Sequence, residues 1–85
     1  MKKFEYTITD PNGIHARPAG LLVQESGKYK STITLTKDDT AADMKRIFSI
    51  MSLGVKGGDT VKIEITGPDE NAAADAIRDI FANNL

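Results

Sequence analysis

The 85-residue chain contains no cysteine and no tryptophan, and it has a single histidine, His15. Without cysteine it forms no disulfide, offers no thiolate to a metal and has no thiol nucleophile. One imidazole falls short of the three or four ligands that a structural zinc site requires, so we expect neither a metal nor another cofactor. Histidine chemistry in this chain therefore depends on one ring.

The chain also lacks a dominant charge and a long hydrophobic run. Its 11 basic and 12 acidic residues give a formal net charge of −1. A nearly neutral surface has no field that attracts a polyanion, so nucleic-acid binding is not expected. The apolar runs are too short for a transmembrane helix, and residues 1–6 lack the apolar stretch of a signal peptide. We expect a cytoplasmic protein without direct membrane insertion, built as a single domain over residues 1–85.

Apolar and polar residues alternate with a period of two in three segments, which predicts three strands. Their apolar positions are Phe4, Tyr6 and Ile8, then Ile33 and Leu35, then Val61, Ile63 and Ile65. The turn formers Lys37-Asp38-Asp39 lead into a short return strand around Thr40 to Ala42. Each of the long strands has one apolar side, so the sheet is expected to be covered on one face only.

Helical spacing of apolar residues predicts three helices. They are expected at Ala16 to Ser26, at Met44 to Leu53 with Asp43 as N-cap, and at Glu70 to about Asn83. Gly67-Pro68-Asp69 should turn the chain and cap the last helix, whose inward positions are Ala73, Ala76, Ile77, Ile80 and Phe81. The order β-α-β-β-α-β-α favours an α+β fold with an antiparallel sheet.

The segment Gly13-Ile14-His15-Ala16-Arg17-Pro18 places the only histidine where a loop becomes a helix. Unpaired N–H groups of Ala16 and Arg17 at the helix end could face an anion held on the ring. Arg17 adds a guanidinium whose fork matches phosphate oxygens. The positive helix end disfavours imidazolium, which leaves a neutral ring able to attack phosphorus. The alternative is that His15 only caps the helix.

The middle helix carries an apolar arc of roughly 160°, wider than a minimal core stripe. The arc consists of Met44, Ile47, Phe48, Ile50 and Met51, and it is edged by Lys45, Arg46, Ser49 and Ser52. Part of such an arc should be exposed and suited to protein docking. The alternative is that the whole arc belongs to the core.

These features together resemble the HPr family, the histidine-containing phosphocarriers of the bacterial phosphoenolpyruvate-dependent sugar phosphotransferase system. The resemblance runs end to end in chain length and element order. It is carried by residues 13–19, by Met51-Ser52-Leu53-Gly54 and by Gly67-Pro68-Asp69-Glu70. It implies an open-faced β-sandwich, in which a four-stranded antiparallel sheet carries three helices on one face.

The resemblance also implies a carrier rather than an enzyme, and we expect it to be a monomer. Enzyme I, charged by phosphoenolpyruvate, would phosphorylate His15 on its δ nitrogen, and Arg17 would steady the phosphoryl group. Sugar-specific IIA domains would then accept the phosphoryl group for coupled sugar uptake and phosphorylation. The docking face implied for these partners includes Gly20, Ile47, Phe48 and Met51.

One position departs from the family pattern. Many Gram-positive members carry a regulatory serine directly after the lysine that matches Lys45, and this chain has Arg46 there. No hydroxyl is available at this position, so regulatory seryl phosphorylation is not expected. A positive side chain would instead favour acidic partner surfaces.

Two other functions are consistent with parts of the pattern. A regulatory HPr-like paralogue in a non-sugar branch, such as a nitrogen-linked one, would carry the same motif and act through protein binding. The βαββαβ order also occurs in RNA-recognition domains, which stack bases on aromatic side chains of the open sheet face. Here the outward positions hold no aromatic residue, since they are Thr32, Thr34, Lys62, Glu64 and Thr66.

Overall fold

The computed structural model describes residues 1–85 and contains four strands and three helices. They are β1 (Lys2–Thr7), α1 (Ala16–Ser26), β2 (Thr32–Lys37), β3 (Thr40–Asp43), α2 (Ile47–Ser52), β4 (Thr60–Thr66) and α3 (Glu70–Asn84). This is the order of elements that the sequence predicts. No helix is both long enough and apolar enough to cross a membrane.

The four strands form one antiparallel sheet in the order β1-β4-β2-β3. Ile63 of the central strand β4 lies opposite Phe4 of β1 and Leu35 of β2, so apolar side chains share one face. The preceding residue, Lys62, lies opposite Glu5 on the other face, because successive side chains alternate across a sheet. The helices cover only the apolar face, which confirms the expected open-faced β-sandwich.

The core lies between the sheet and helices α1 and α3. Its largest fully buried side chains are Phe81, Ile8, Leu22, Ile33, Leu35, Met44, Ile50, Ile63, Ile65 and Ile77. Burying each of these stabilises the fold by about 1.5–3 kcal/mol. The inward face of α3 is largely as predicted, except that Ala76 and Ile80 are half-buried and that Ala74, not predicted, is buried.

The predicted start of α2 at Met44 is wrong. Asp43 ends β3 instead of capping a helix, and the Met44 N–H donates to the Ile33 carbonyl of β2 at 2.9 Å. Helix α2 begins only at Ile47, with Arg46 as N-cap. Met44 is fully buried, so its apolar character suits the turn after a strand as well as a helix, and periodicity alone could not separate the two.

Asp69 precedes α3 as predicted, but its side chain makes no capping hydrogen bond. Its carboxylate accepts hydrogen bonds from the Lys30 and Ser31 N–H groups at 2.8 and 2.9 Å and from the Ser31 hydroxyl. These bonds join the loop before α3 to the loop before β2. They hold the pKa of Asp69 below its ordinary value of 3.8, with the Ser31 hydroxyl as the largest cause.

Replacing Asp69 by Asn should make the stability less dependent on pH in the acid range. A carboxyl group whose pKa is lower in the folded than in the unfolded state stabilises the folded state at pH values above its unfolded-state pKa. This stabilisation is lost as the pH falls through its folded-state pKa. Wild type should therefore exceed Asp69→Asn in unfolding free energy near neutral pH, and the difference should shrink as the pH falls below 3.8. Urea unfolding at several pH values measures it, with the exposed Asp39→Asn as control. A difference independent of pH would contradict the prediction.

Candidate functional site

The loop before α1 determines where His15 lies. Gly13 has a positive φ of 64°, and its N–H donates to the Asp10 carbonyl at 2.9 Å. A Cβ at Gly13 would lie 2.1 Å from the Val55 carbonyl oxygen, so only glycine fits this approach. The next residue, Ile14, is buried and donates its N–H to the same Val55 oxygen at 3.1 Å. The loop is thus anchored to the fold directly before His15.

His15 is the N-cap residue of α1, as the sequence predicts. Its backbone is extended, with φ −91° and ψ −176°, and its carbonyl accepts the first intrahelical bond from Ala19 at 3.0 Å. The side chain makes no capping hydrogen bond and is 41% exposed. The ring is therefore not used to cap the helix, and solvent and partner proteins can reach it.

The ring lines a shallow depression that is open to solvent. The residues around it are Asp10, Asn12, His15, Arg17, Pro18, Leu21, Asn83 and Asn84. Arg17 is exposed and takes part in none of the ion pairs of the structure, so its guanidinium is free to bind an added anion. A small charged group suits such a depression better than an apolar ligand, which needs an enclosed apolar pocket.

Asp10 is part of the depression, although the run of turn formers Asp10-Pro11-Asn12-Gly13 predicts only a turn at this position. Its Oδ2 lies 3.4 Å from Nε2 of His15, and its Oδ1 accepts the Asn12 N–H at 2.8 Å. Asn83 and Asn84, at the end of α3, were also not predicted to lie here. The hydrogen bond from the Asp10 N–H to the Leu85 carbonyl, 3.0 Å long, brings the two chain segments together.

The apolar arc of the middle helix is divided between the core and the surface. Ile50 is fully buried and Ile47 is half-buried, whereas Phe48 is 84% exposed and Met51 is 39% exposed. The alternative that the whole arc lies in the core is therefore wrong. We call Ile47, Phe48 and Met51 the α2 patch. Helix α2 contacts α1, and a Cβ at Gly20 of α1 would meet no atom within 4 Å, so the surface there is open.

The residues that edge the α2 patch differ in how free their side chains are. The ammonium group of Lys45 donates to the Tyr29 carbonyl at 2.8 Å and is partly buried. Arg46 is 77% exposed, and its Nε lies 3.8 Å from a carboxylate oxygen of Asp43. Arg46 is therefore the more accessible of these two cations.

Comparison with known proteins gives consistent matches over nearly the full chain. The family model described as the PTS HPr component phosphorylation site matches residues 2–83. The phosphocarrier protein HPr of Mycoplasma genitalium is 41% identical over 85 residues, which cover 99% of this chain and 97% of the relative.

Solved structures agree with the sequence matches. A crystal structure of HPr from Thermoanaerobacter tengcongensis has a TM-score of 0.91 and 41% identity, with 96% of this chain and 92% of the other covered. Crh, the catabolite repression protein of Bacillus subtilis described as a domain-swapped dimer, has a TM-score of 0.78 and 33% identity, with coverages of 88% and 86%. Because the family model and the relatives span almost every residue, the chain belongs to the HPr family of phosphocarrier proteins of the phosphotransferase system.

Proposed function

We propose that this chain accepts a phosphoryl group on His15 from enzyme I charged by phosphoenolpyruvate, and passes it to sugar-specific IIA domains in the cytoplasm. The observation that carries the proposal is the exposed ring of His15 at the start of α1, in an open depression that it shares with the unpaired Arg17. A second protein can reach a phosphoryl group bound there without any conformational change of the fold. Membership of a phosphocarrier family supports the same role.

His15, Ala16 and Arg17 contribute different groups to phosphoryl binding. A ring nitrogen of His15 forms the new bond to phosphorus, while the donor keeps the electron pair of the bond that breaks. The N–H groups of Ala16 and Arg17 have no intrahelical partner in the first turn of α1, so they are available to the phosphoryl oxygens. The guanidinium of Arg17 adds a permanent positive charge of matching geometry.

The α2 patch, together with Gly20, provides the docking surface in this proposal. Phe48 and Met51 are two of only three exposed large hydrophobic side chains in the chain, and an exposed apolar cluster of this kind marks a site for protein contact. Both partners must reach His15, so both use this side of the molecule in turn. We propose that the chain works as a monomer with small, short-lived interfaces.

Intact-mass measurement after incubation with enzyme I and phosphoenolpyruvate tests the proposal. We expect a single added phosphoryl group that is stable in alkali and labile in acid, as for a phosphohistidine. Omission of enzyme I should leave the mass unchanged. A wild-type chain that stays unmodified under these conditions would exclude the proposed function.

Similarity to Crh favours a second candidate, a regulatory paralogue that acts through protein binding. In a non-sugar branch, such as a nitrogen-linked one, the chain would still carry a phosphoryl group. The two candidates differ in the acceptor. Transfer of labelled phosphate from the chain to a sugar-specific IIA domain supports the first candidate, whereas label that moves only to a nitrogen-linked IIA domain supports the second.

Replacing Arg46 by Glu should slow phosphoryl transfer from enzyme I. Arg46 is an exposed cation next to the α2 patch, and reversing its charge weakens attraction to an acidic partner surface. We expect a decrease of about 10-fold at low salt and a smaller one at high salt, where the charges are screened. Quenched-flow assays of the transfer rate at two salt concentrations measure the effect, with Arg78→Glu on α3 as control. Equal rates for wild type and Arg46→Glu would contradict the prediction.

A further inference from the structure

We propose that Asp10 is a positioning residue that keeps the ring proton of His15 on Nε2 and thereby leaves Nδ1 free as the nucleophile. The inference rests on the proposed function of His15 and adds the group that selects the reacting nitrogen. From the sequence, the turn formers of residues 10–13 predict a turn and no further role. The structure gives the carboxylate of Asp10 a second role.

The contact between Asp10 and His15 favours the proton on one of the two ring nitrogens. Oδ2 of Asp10 lies 3.4 Å from Nε2 of His15. An ionised carboxylate can only accept hydrogen bonds, so the nitrogen that faces it is favoured as the protonated one. A neutral imidazole has a single N–H, and Nδ1 therefore keeps its lone pair. Contacts of this kind are often long in the free protein and shorten in the reacting complex.

The carboxylate of Asp10 is held in place before any partner arrives. Its Oδ1 accepts the Asn12 N–H at 2.8 Å, and its main-chain carbonyl accepts the Gly13 N–H at 2.9 Å. The Asp10 N–H donates to the Leu85 carbonyl at 3.0 Å. With one carboxylate oxygen bound to the loop, the other is directed at the ring, so little side-chain entropy remains to be lost during transfer.

This arrangement needs no proton exchange with solvent during the cycle. On acceptance, the Nδ1 lone pair forms the bond to phosphorus, and the bond to the donor breaks with its electron pair left on the donor. The ring then carries both an N–P bond and the Nε2 proton, and its positive charge lies next to the Asp10 carboxylate. On donation, the acceptor forms its bond to phosphorus, the N–P electron pair returns to Nδ1 and the proton stays on Nε2.

Replacing Asp10 by Asn should reverse the tautomer while keeping the loop. The amide oxygen can still accept the Asn12 N–H, which places the NH₂ group where Oδ2 lies in wild type. This NH₂ group donates toward Nε2 and so favours the proton on Nδ1, where it blocks the nucleophile. Asp10→Ser retains turn chemistry without a group that reaches the ring. Asp39→Asn is the control for charge, since Asp39 is exposed and forms no side-chain hydrogen bond or ion pair.

Nitrogen-15 NMR of the His15 ring, recorded on the neutral form, reads the tautomer without any partner protein. We expect the proton on Nε2 in wild type and Asp39→Asn, and on Nδ1 in Asp10→Asn. Phosphoryl acceptance from enzyme I should fall on the order of 10- to 100-fold in Asp10→Asn, as when the residue that orients a functional histidine is changed. Asp10→Ser should lose less, and the control should keep the wild-type rate.

The outcomes separate the role of Asp10 from the proposed function. An unchanged ring spectrum in a folded Asp10→Asn variant overturns the inference, whatever the transfer rate. A reversed tautomer with wild-type transfer also overturns it and leaves the proposed function intact. If wild type itself takes no phosphoryl group, the proposed function fails and the transfer role of Asp10 fails with it, even where the spectra show the expected tautomers. Amide spectra of each variant establish that the fold is retained.

Discussion

His15→Ala is expected to abolish phosphoryl acceptance, lowering its rate by more than about 1,000-fold, because the only imidazole of the chain is removed. No cysteine is present to replace it as a nucleophile. The fold should be unaffected, since the ring is 41% exposed and makes no capping hydrogen bond. We expect the unfolding free energy to change by less than about 0.5 kcal/mol. Intact mass and thermal unfolding of the same sample measure both effects.

Controls decide how a loss of acceptance in His15→Ala is interpreted. If the variant unfolds at the same temperature as wild type and takes no phosphoryl group, the loss of acceptance is due to the missing imidazole and not to unfolding. Arg17→Lys is a useful partner variant, because it keeps the charge but not the fork of donors. It should still be phosphorylated, at a rate reduced by about 10-fold. Persistence of the label in His15→Ala would show that another residue is the acceptor.

Gly13→Ala is expected to destabilise the chain by about 3 kcal/mol, through two separate effects. The positive φ of 64° costs an L-residue about 1–2 kcal/mol. The added Cβ would also lie 2.1 Å from the Val55 carbonyl oxygen, which forces the backbone to move and costs about as much again. A domain of this size has about 4–13 kcal/mol of total stability, so the loss is large. Urea unfolding measures it.

Gly54→Ala measures the backbone part of this loss alone, so the difference between the two variants gives the steric part. Gly54 has the same φ of 64°, but a Cβ there would meet no atom within 4 Å. It should therefore cost only the backbone part, about 1–2 kcal/mol. Gly13→Ala should also slow phosphoryl acceptance at temperatures where the chain is still folded, because Gly13 directly precedes the segment that carries His15. Equal destabilisation by the two variants would mean that the approach to Val55 does not matter.

The functional side chains of the site lie at the surface and contribute little to the core. His15 and Arg17 lie at the surface end of α1, and the α2 patch lies on the outer side of a six-residue helix. The core beneath holds α1 through Ala19 and Leu22, both fully buried. The reactive groups can thus be changed with small effects on folding, whereas the glycine that shapes the loop cannot. Folding and transfer are therefore separable in experiments.

Local patterns determined much of the fold. Alternation in Val61, Ile63 and Ile65 predicts β4 because a strand with one buried face needs an apolar residue at every second position. The start of α1 follows from the turn formers before it and from Pro18, which fits only within the first turn of a helix. The sequence by itself also placed the only histidine beside Arg17 at that helix end.

Tertiary structure decided what depends on residues far apart in the chain. Met44 follows β3 and does not start a helix, since its N–H donates to the Ile33 carbonyl of β2, and an apolar residue at this position is compatible with either conformation. Phe48 and Ile50 are both apolar, yet only packing against the rest of the fold leaves the first exposed and buries the second. Asn84 reaches the depression around His15 because α3 ends there. Periodicity and capping act along the chain over a few residues, so contacts between distant segments are specified only when the sheet and helices pack together.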